Sequence, residues 1–159
     1  MEIQVVAGGI QSTEDELIVV NLFEGVEEPG GATGAVDQAL GGSIREAVAH
    51  GDFWGKKGET LVLYPGAAIP ASRVLVVGLG PQPEFSLDTV RWVAGAAAQK
   101  ARDLGVRSFS SIVHGGGAGG LSLEAAAQAV AEGTILGLYR YQELKNKPPG
   151  SGAVHFGAA

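Results

Sequence analysis

Two uninterrupted apolar runs constrain the fold of this chain more than any other feature. They are ELIVVNLF at residues 16–23 and RVLVV at residues 73–77. A strand that faces water on one side alternates apolar and polar residues, whereas a strand covered on both faces reads as a continuous, largely β-branched run. The sequence therefore predicts a sheet whose central strands are buried on both faces.

The remaining segments predict helices between the strands. Further strands are predicted at residues 3–6, 53–54, 60–64 and 107–113, and helices at residues 33–40, 43–50, 86–104 and 122–145. Ser86 and Ser122 are typical helix caps, and Ser43 with Glu46 forms a capping-box pattern. This order of elements is typical of an α/β domain with three layers, α/β/α, and a mixed, largely parallel sheet.

The last helix carries two glycines one turn apart, Gly133 and Gly137. A glycine inside a helix costs about 1 kcal/mol relative to alanine, so a pair indicates close packing of a neighbouring element. The predicted apolar stripe of this helix consists of Leu123, Ala127, Val130, Thr134, Leu138 and Tyr141. We expect this stripe to be a packing surface.

Composition limits the class of protein. A chain of 159 residues fits one domain. It has no cysteine, which excludes disulfides and thiolate metal sites and suits a reducing compartment. We expect no signal peptide, and no segment reaches the roughly 18 consecutive apolar residues of a membrane span. A net charge of −6 with scattered Lys and Arg argues against nucleic-acid binding.

Two glycine-rich segments follow predicted strands. Gly78-Leu79-Gly80 begins like a dinucleotide fingerprint, but Pro83 replaces the third glycine and the helix begins only at Ser86. We interpret it as a tight strand exit. Residues 114–120, HGGGAGG, precede a helix, where backbone amides can bind anions. No Lys-Ser or Lys-Thr pair follows them, so a flexible connector and a small anion site both remain open.

The sequence assigns no catalytic, cofactor-binding or metal residue. His50, His114 and His155 are far apart, and neither H-E-x-x-H nor G-x-S-x-G occurs. The acidic residues at 14–16 and 24–28 are interpreted as solvated loops and strand ends. Four aromatic residues are interpreted as core or interface residues rather than base-stacking residues: Trp54, Trp92, Tyr139 and Tyr141.

Four segments occur in a characteristic order. They are DQALGGSI at residues 37–44, GDFWGKKGET at 51–60, RVLVVGLG at 73–80 and AEGTILGLYRY at 131–141. Together they resemble the N-terminal domain of the leucyl (cytosol) aminopeptidase family. The resemblance implies an α/β/α fold similar to that of macro domains, in agreement with the order of elements.

The resemblance also implies where the chemistry of such a protein lies. The family removes N-terminal residues from peptides with two divalent metals, typically zinc, manganese or cobalt. Their ligands come from a later catalytic domain, in motifs resembling F-D-[ST]-G-G and N-T-D-A-E-G-R. Neither motif occurs here. No functional residue is therefore carried over, and we expect no enzyme activity and no cofactor in this chain alone.

Two functional hypotheses follow. In the first, residues 1–145 form the non-catalytic N-terminal domain of a cytoplasmic leucyl aminopeptidase, and residues 146–159 form a linker or C-terminal tail. Its partners would be the catalytic domain of the same parent chain and further subunits, a hexamer in the family, and its role would be subunit packing or regulation. The alternative is a free-standing macro-like module that binds a nucleotide or ADP-ribose through the loops at Gly78 and Gly115.

Overall fold

The computed structural model describes residues 1–117, 119–139 and 153–158, the last segment by its backbone alone. The strands are β1 (Glu2–Ala7), β2 (Leu17–Leu22), β3 (Thr60–Leu63), β4 (Arg73–Gly78), β5 (Ser108–Ile112) and β6 (Ala153–Ala158). The helices are α1 (Gly31–Ala39), α2 (Ser43–Ala49), α3 (Leu87–Asp103) and α4 (Leu123–Leu138). None of these helices has the length and apolar character that a membrane crossing requires.

The strands form one mixed, largely parallel sheet, as predicted. Their order across the sheet is β1-β6-β5-β2-β4-β3. Each neighbouring pair is parallel except β3 and β4, which are antiparallel. Parallel strands end at the same edge of a sheet, which we call the carboxyl edge. The segments that follow β2, β4 and β5 therefore begin at one edge.

Helices cover both faces of the sheet, which confirms the three-layer prediction. Along β2, Leu17 and Val19 pack in the core with α3 and α4, whereas Ile18 and Val20 pack in the core with α1 and α2. All four side chains are fully buried. Burial of one such side chain contributes about 1.5–3 kcal/mol. The uninterrupted apolar run therefore reflects burial on both sides.

The caps of the two long helices are as predicted. Ser86 Oγ accepts from the Thr89 amide at 3.4 Å, and Thr89 Oγ1 accepts from the Ser86 amide at 3.3 Å. Ser122 Oγ accepts from the Ala125 amide at 3.2 Å. Each bond satisfies an amide that the first helical turn leaves unpaired.

The capping box predicted at Ser43 is wrong. The N-cap of α2 is Gly42, and the hydroxyl of Ser43 donates to the Leu40 carbonyl at 2.8 Å. The buried carboxylate of Asp37 caps the helix instead, since its Oδ1 accepts from the amides of Ile44 at 2.8 Å and Arg45 at 3.2 Å. A cap supplied from the preceding helix lies beyond the local spacing that defines a capping box.

The glycines of α4 pack closely against α3, as predicted. A Cβ added at Gly133 would lie 2.1 Å from the Arg91 carbonyl oxygen, and one at Gly137 would lie 2.5 Å from Gly95 Cα. Val130 and Thr134 are buried as predicted. The start of the predicted stripe is wrong, because Leu123 is exposed and the buried face passes through Ala126 and Ala129. Small side chains let the helix backbones approach. The predicted end of the helix is also wrong, because α4 ends at Leu138 and Tyr139 has an extended backbone; residues 140–145 lie outside the described residues.

Two further predictions differ from the structure. Residues 53–54 do not form a strand, although Phe53 is fully buried. Within the predicted tail, Ala153–Ala158 forms β6, which pairs with both β1 and β5. The preference of a segment for a strand depends on the neighbours it packs against, and β1 and β5 lie far from residues 153–158 in sequence, so the composition of this segment did not reveal it. Residues 146–152 lie outside the described part of the chain, and the domain boundary at residue 145 stays a prediction.

Candidate functional site

The exit from β4 is enclosed by backbone contacts. The amides of Gly78, Leu79 and Gly80 donate to the carbonyls of Glu59 at 2.8 Å, Leu22 at 2.9 Å and Gly55 at 2.9 Å. A Cβ at Gly78 would lie 2.0 Å from the Lys56 carbonyl oxygen. These glycines therefore let the backbone of residues 55–59 approach β4. A pyrophosphate at this turn would need amides that already have partners.

Residues 51–60, GDFWGKKGET, form the segment that encloses the β4 exit. Glu59 Oε2 accepts from the amides of Trp54 and Lys56, each at 3.0 Å. A Cβ at Gly58, where φ is +78°, would lie 1.9 Å from the Trp92 ring. The Lys57 ammonium lies 5.6 Å from the centroid of the same ring, within cation–π range. The arrangement explains Gly58 and Glu59 of this segment by local structure.

His114 lies just after the end of β5, and its side chain is fully buried. Its Nδ1 lies 2.9 Å from Asn21 Nδ2, and its Nε2 lies 3.5 Å from Ser111 Oγ. Since the Asn21 amide nitrogen can only donate, Nδ1 accepts and the ring proton is on Nε2. Ser111 in turn donates to the Ile112 carbonyl at 2.9 Å. Desolvation lowers the pKa of His114 to about 4, so the ring is neutral near pH 7.

The glycine-rich loop after His114 packs around an aromatic ring. A Cβ at Gly115, where φ is +80°, would lie 2.2 Å from Phe85 Cε1, and one at Gly119 would lie 2.6 Å from the same atom. Phe85 also meets Phe23 edge to face, with ring centroids 5.0 Å apart. This packing accounts for two of the loop glycines without a ligand. Residue 118 lies outside the described residues.

The acidic residues predicted to be solvated are dispersed over the structure. Glu28 pairs with Arg45 at 3.3 Å, Asp15 Oδ2 accepts from Ser110 Oγ at 2.5 Å, and Glu16 Oε1 accepts from the Arg107 amide at 3.4 Å.

The described residues include no group of three or more His, Asp or Glu side chains that could hold a metal ion. The side chain of His155 is outside this description. The family resemblance implies the two-metal centre in a later domain, and the assignment of no metal residue to this chain stays a prediction.

The charged residue that sequence reasoning missed is Asp37. Its side chain is buried and pairs with Arg45 Nε at 2.9 Å while it caps α2. No local pattern identifies this cap, because Asp37 lies seven residues before Ile44, from whose amide it accepts, and this separation is outside the spacing of a capping box. The contacts of Asp37 are structural.

Besides Met1, Tyr64 and Leu123, large apolar side chains of the described residues are exposed in three places. On α4, Ile135 and Leu136 are exposed, and Tyr139 follows at its C-cap. Trp54 and Trp92 are exposed near the β4 exit. Val5 and Val6 are exposed on β1. These aromatic residues are therefore surface residues, and Tyr141 lies outside the described residues.

Comparison with known proteins identifies one family. Residues 19–148 match the cytosol aminopeptidase family, N-terminal domain. The chain is 35% identical, over 92% of its length, to a probable cytosol aminopeptidase of Roseiflexus castenholzii, and covers 27% of that protein. The chain thus spans less than a third of that relative.

Solved structures agree with the fold. A mutant of tomato leucine aminopeptidase matches 99% of this chain with a TM-score of 0.76 and 21% identity, over 32% of its own length. A Trypanosoma brucei macrodomain in complex with ADP-ribose matches 99% with a TM-score of 0.78 and 21% identity, over 63% of its own length. The macro-domain-like fold is therefore confirmed.

Proposed function

This chain belongs to the cytosol aminopeptidase family, and we propose that it is the non-catalytic N-terminal domain of an aminopeptidase, with a role in subunit packing. The observation that carries the proposal is the match of residues 19–148 to the N-terminal domain of that family. The chain covers 27% of its relative, so most of such a protein consists of other segments.

The chemistry of the parent enzyme would lie in those other segments. By its family, the parent is a metallo-aminopeptidase that holds two divalent metals, zinc, manganese or cobalt, in a catalytic domain of the same polypeptide. This chain contains neither of the ligand motifs expected there. We infer that the catalytic domain is its main partner, that the parent is cytoplasmic and that it assembles as a homo-oligomer, a hexamer in the family.

An exposed apolar surface on α4 supports a packing role. Ile135, Leu136 and Tyr139 have 50%, 69% and 73% of their surfaces exposed, and they lie within about one helical turn of one another. Contiguous exposed apolar side chains often mark contact sites between proteins.

The test compares this chain with its parent enzyme. Leucine p-nitroanilide cleavage is measured with Mn²⁺ or Zn²⁺ for the purified 159-residue chain, the parent, and the parent without this domain. We expect no metal-dependent cleavage by the isolated chain, and fewer subunits per assembly by light scattering when the domain is removed. Cleavage by the isolated chain would refute the non-catalytic role, and an unchanged number of subunits would refute the packing role.

The second candidate is a macro-like module that binds a nucleotide or ADP-ribose. It is favoured by the fold shared with an ADP-ribose-bound macrodomain and by the position of residues 114–120 at the end of β5. The amides of Gly78–Gly80 already have backbone acceptors, and Phe85 packs against Gly115. Both features reduce the number of free amides that these loops can present to a phosphate. Calorimetry and thermal-shift measurements with ADP-ribose test this candidate. The absence of both binding heat and thermal shift at millimolar ligand would eliminate it.

A further inference from the structure

Strand β1 lies at an open edge of the sheet. It pairs with β6 along all six of its residues, and no described strand pairs with its other side. Every second residue of an edge strand directs its backbone N–H and C=O groups away from the sheet. Val5 is 78% exposed and Val6 is 44% exposed. The edge thus presents both hydrogen-bonding groups and apolar side chains.

The sequence of β1 lacks the features that usually protect such an edge. Natural edge strands are short, contain Lys, Pro or a bulge, or are covered by another element. Strand β1 reads EIQVVA, with Glu2 as its one charge. Strand β3, at the opposite edge, has four residues, all partly buried. An unprotected strand of six residues fits an extended segment of another chain.

We propose that β1 pairs with β1 of a second copy of this chain, in antiparallel orientation across a two-fold axis. This proposal rests on the packing role above and names the surface and the partner. The charge pattern permits self-pairing in this orientation, because an antiparallel arrangement centred near Gln4 and Val5 places Glu2 away from Glu2 of the second copy, whereas an in-register parallel pair would place the two carboxylates side by side. A two-fold arrangement is also complete once a second copy has bound, whereas a parallel contact between edges is not closed by symmetry.

The side chains of β1 match in this arrangement. Alternation along the strand puts Ile3 and Val5 on one face, and Ile3 packs against the core beneath α3 and α4. Pairing centred on Gln4 sets Ile3 opposite Val5 of the second copy, and pairing centred on Val5 sets the two valines opposite each other. Both registers cover Val5 and keep the same helical layers on one side. Because one strand pair makes a small interface, we expect a dissociation constant of roughly micromolar order.

Sedimentation of the purified 159-residue chain over a range of concentrations tests the proposal. Val5→Lys should abolish the dimer, because its charge lies in the new strand pair. Tyr64→Lys is the matched control, since it also replaces a large exposed side chain with lysine, but after β3, where 72% of Tyr64 is exposed. It should leave the dimer intact. Leu136→Lys tests the competing apolar surface on α4, and circular dichroism checks that all three variants fold.

Cross-linking provides a second readout that does not depend on a destabilising charge. The chain has no cysteine, so a single introduced thiol reports on one position. Facing residues of an antiparallel pair have Cα atoms about 4.5–5.5 Å apart, within the range that a disulfide spans. Either Gln4→Cys or Val5→Cys, according to the register, should therefore oxidise to a covalent dimer, whereas Leu136→Cys should not.

The outcomes separate this inference from the packing role. A dimer lost in Val5→Lys and kept in Leu136→Lys, with cross-linking at residue 4 or 5, is the expected result. A dimer lost only in Leu136→Lys would overturn pairing through β1 and leave the packing role standing on α4. A chain that stays monomeric at hundreds of micromolar overturns the inference, while removal of the domain from the parent still tests the packing role independently.

Discussion

The contact between α3 and α4 gives the sharpest test of the packing in this domain. A methyl group added at Gly133 would lie 2.1 Å from the Arg91 carbonyl oxygen, more than 1 Å short of the 3.4 Å at which ordinary contact begins. The obstacle is backbone, so no rotamer change relieves it. Gly133→Ala should therefore force the two helices apart.

The expected loss in the free energy of unfolding of Gly133→Ala follows from two opposing effects. Alanine in place of glycine favours a helix by about 1 kcal/mol. Overpacking a close contact typically costs about 1–3 kcal/mol, and a clash with backbone belongs at the upper end. The net loss in the free energy of unfolding is then about 2 kcal/mol. For a domain of this size, this lowers Tm by about 4–8 °C.

Gly95→Ala is the matched control. Gly95 faces the same helix crossing from α3, but its added Cβ would lie 3.1 Å from the Gly133 carbonyl oxygen, a distance that small shifts relieve. We expect the gain in helix propensity and the packing cost to cancel, so that Tm changes little. Calorimetry or chemical denaturation measures both variants. A Gly133→Ala variant as stable as the parent chain would show that the helices do not approach this closely.

Three further predictions concern buried or bonded polar groups. Burial lowers the pKa of His114 to about 4, so as the pH falls the unfolded chain binds a proton before the folded chain does. The free energy of unfolding should therefore fall by about 3 kcal/mol between pH 6.5 and pH 4, relative to its value above pH 6.5. Glu59→Ala should cost about 1–2 kcal/mol, because the amides of Trp54 and Lys56 lose their acceptor. Asp37→Ala should cost about 2–3 kcal/mol, because α2 loses its cap and Arg45 its partner.

Each of these predictions has a control. Denaturation at several pH values should show a smaller loss toward acid in His114→Gln than in the parent chain; equal losses would contradict the buried neutral imidazole. Glu59→Gln and Asp37→Asn each keep an acceptor oxygen, so both should unfold at higher denaturant concentration than the alanine variants. If Asn and Ala at position 37 were equally destabilising, the cap would not be the important contact.

The local chemistry of the elements was predictable wherever short-range sequence determines it. Ser86 and Ser122 could be identified as caps because the bond to the third following amide is local. Asp37 could not, since its role depends on a turn that brings α2 back onto α1. Likewise, Gly78 and Gly115 resemble phosphate-binding glycines in sequence. Their contacts with Lys56 and Phe85 exist only after distant segments have folded together.

The sequence by itself determined the layered α/β architecture, because apolar runs such as residues 16–23 can be satisfied only between two layers of helices. It also determined the family, through ordered segments spread along the chain. The tertiary structure alone decided that Ala153–Ala158 joins the sheet between β1 and β5, and that β1 lies at its open edge. Strand order depends on pairing between segments far apart in sequence. The free energy of that pairing depends on which strands become neighbours, and the composition of one strand does not specify its neighbours.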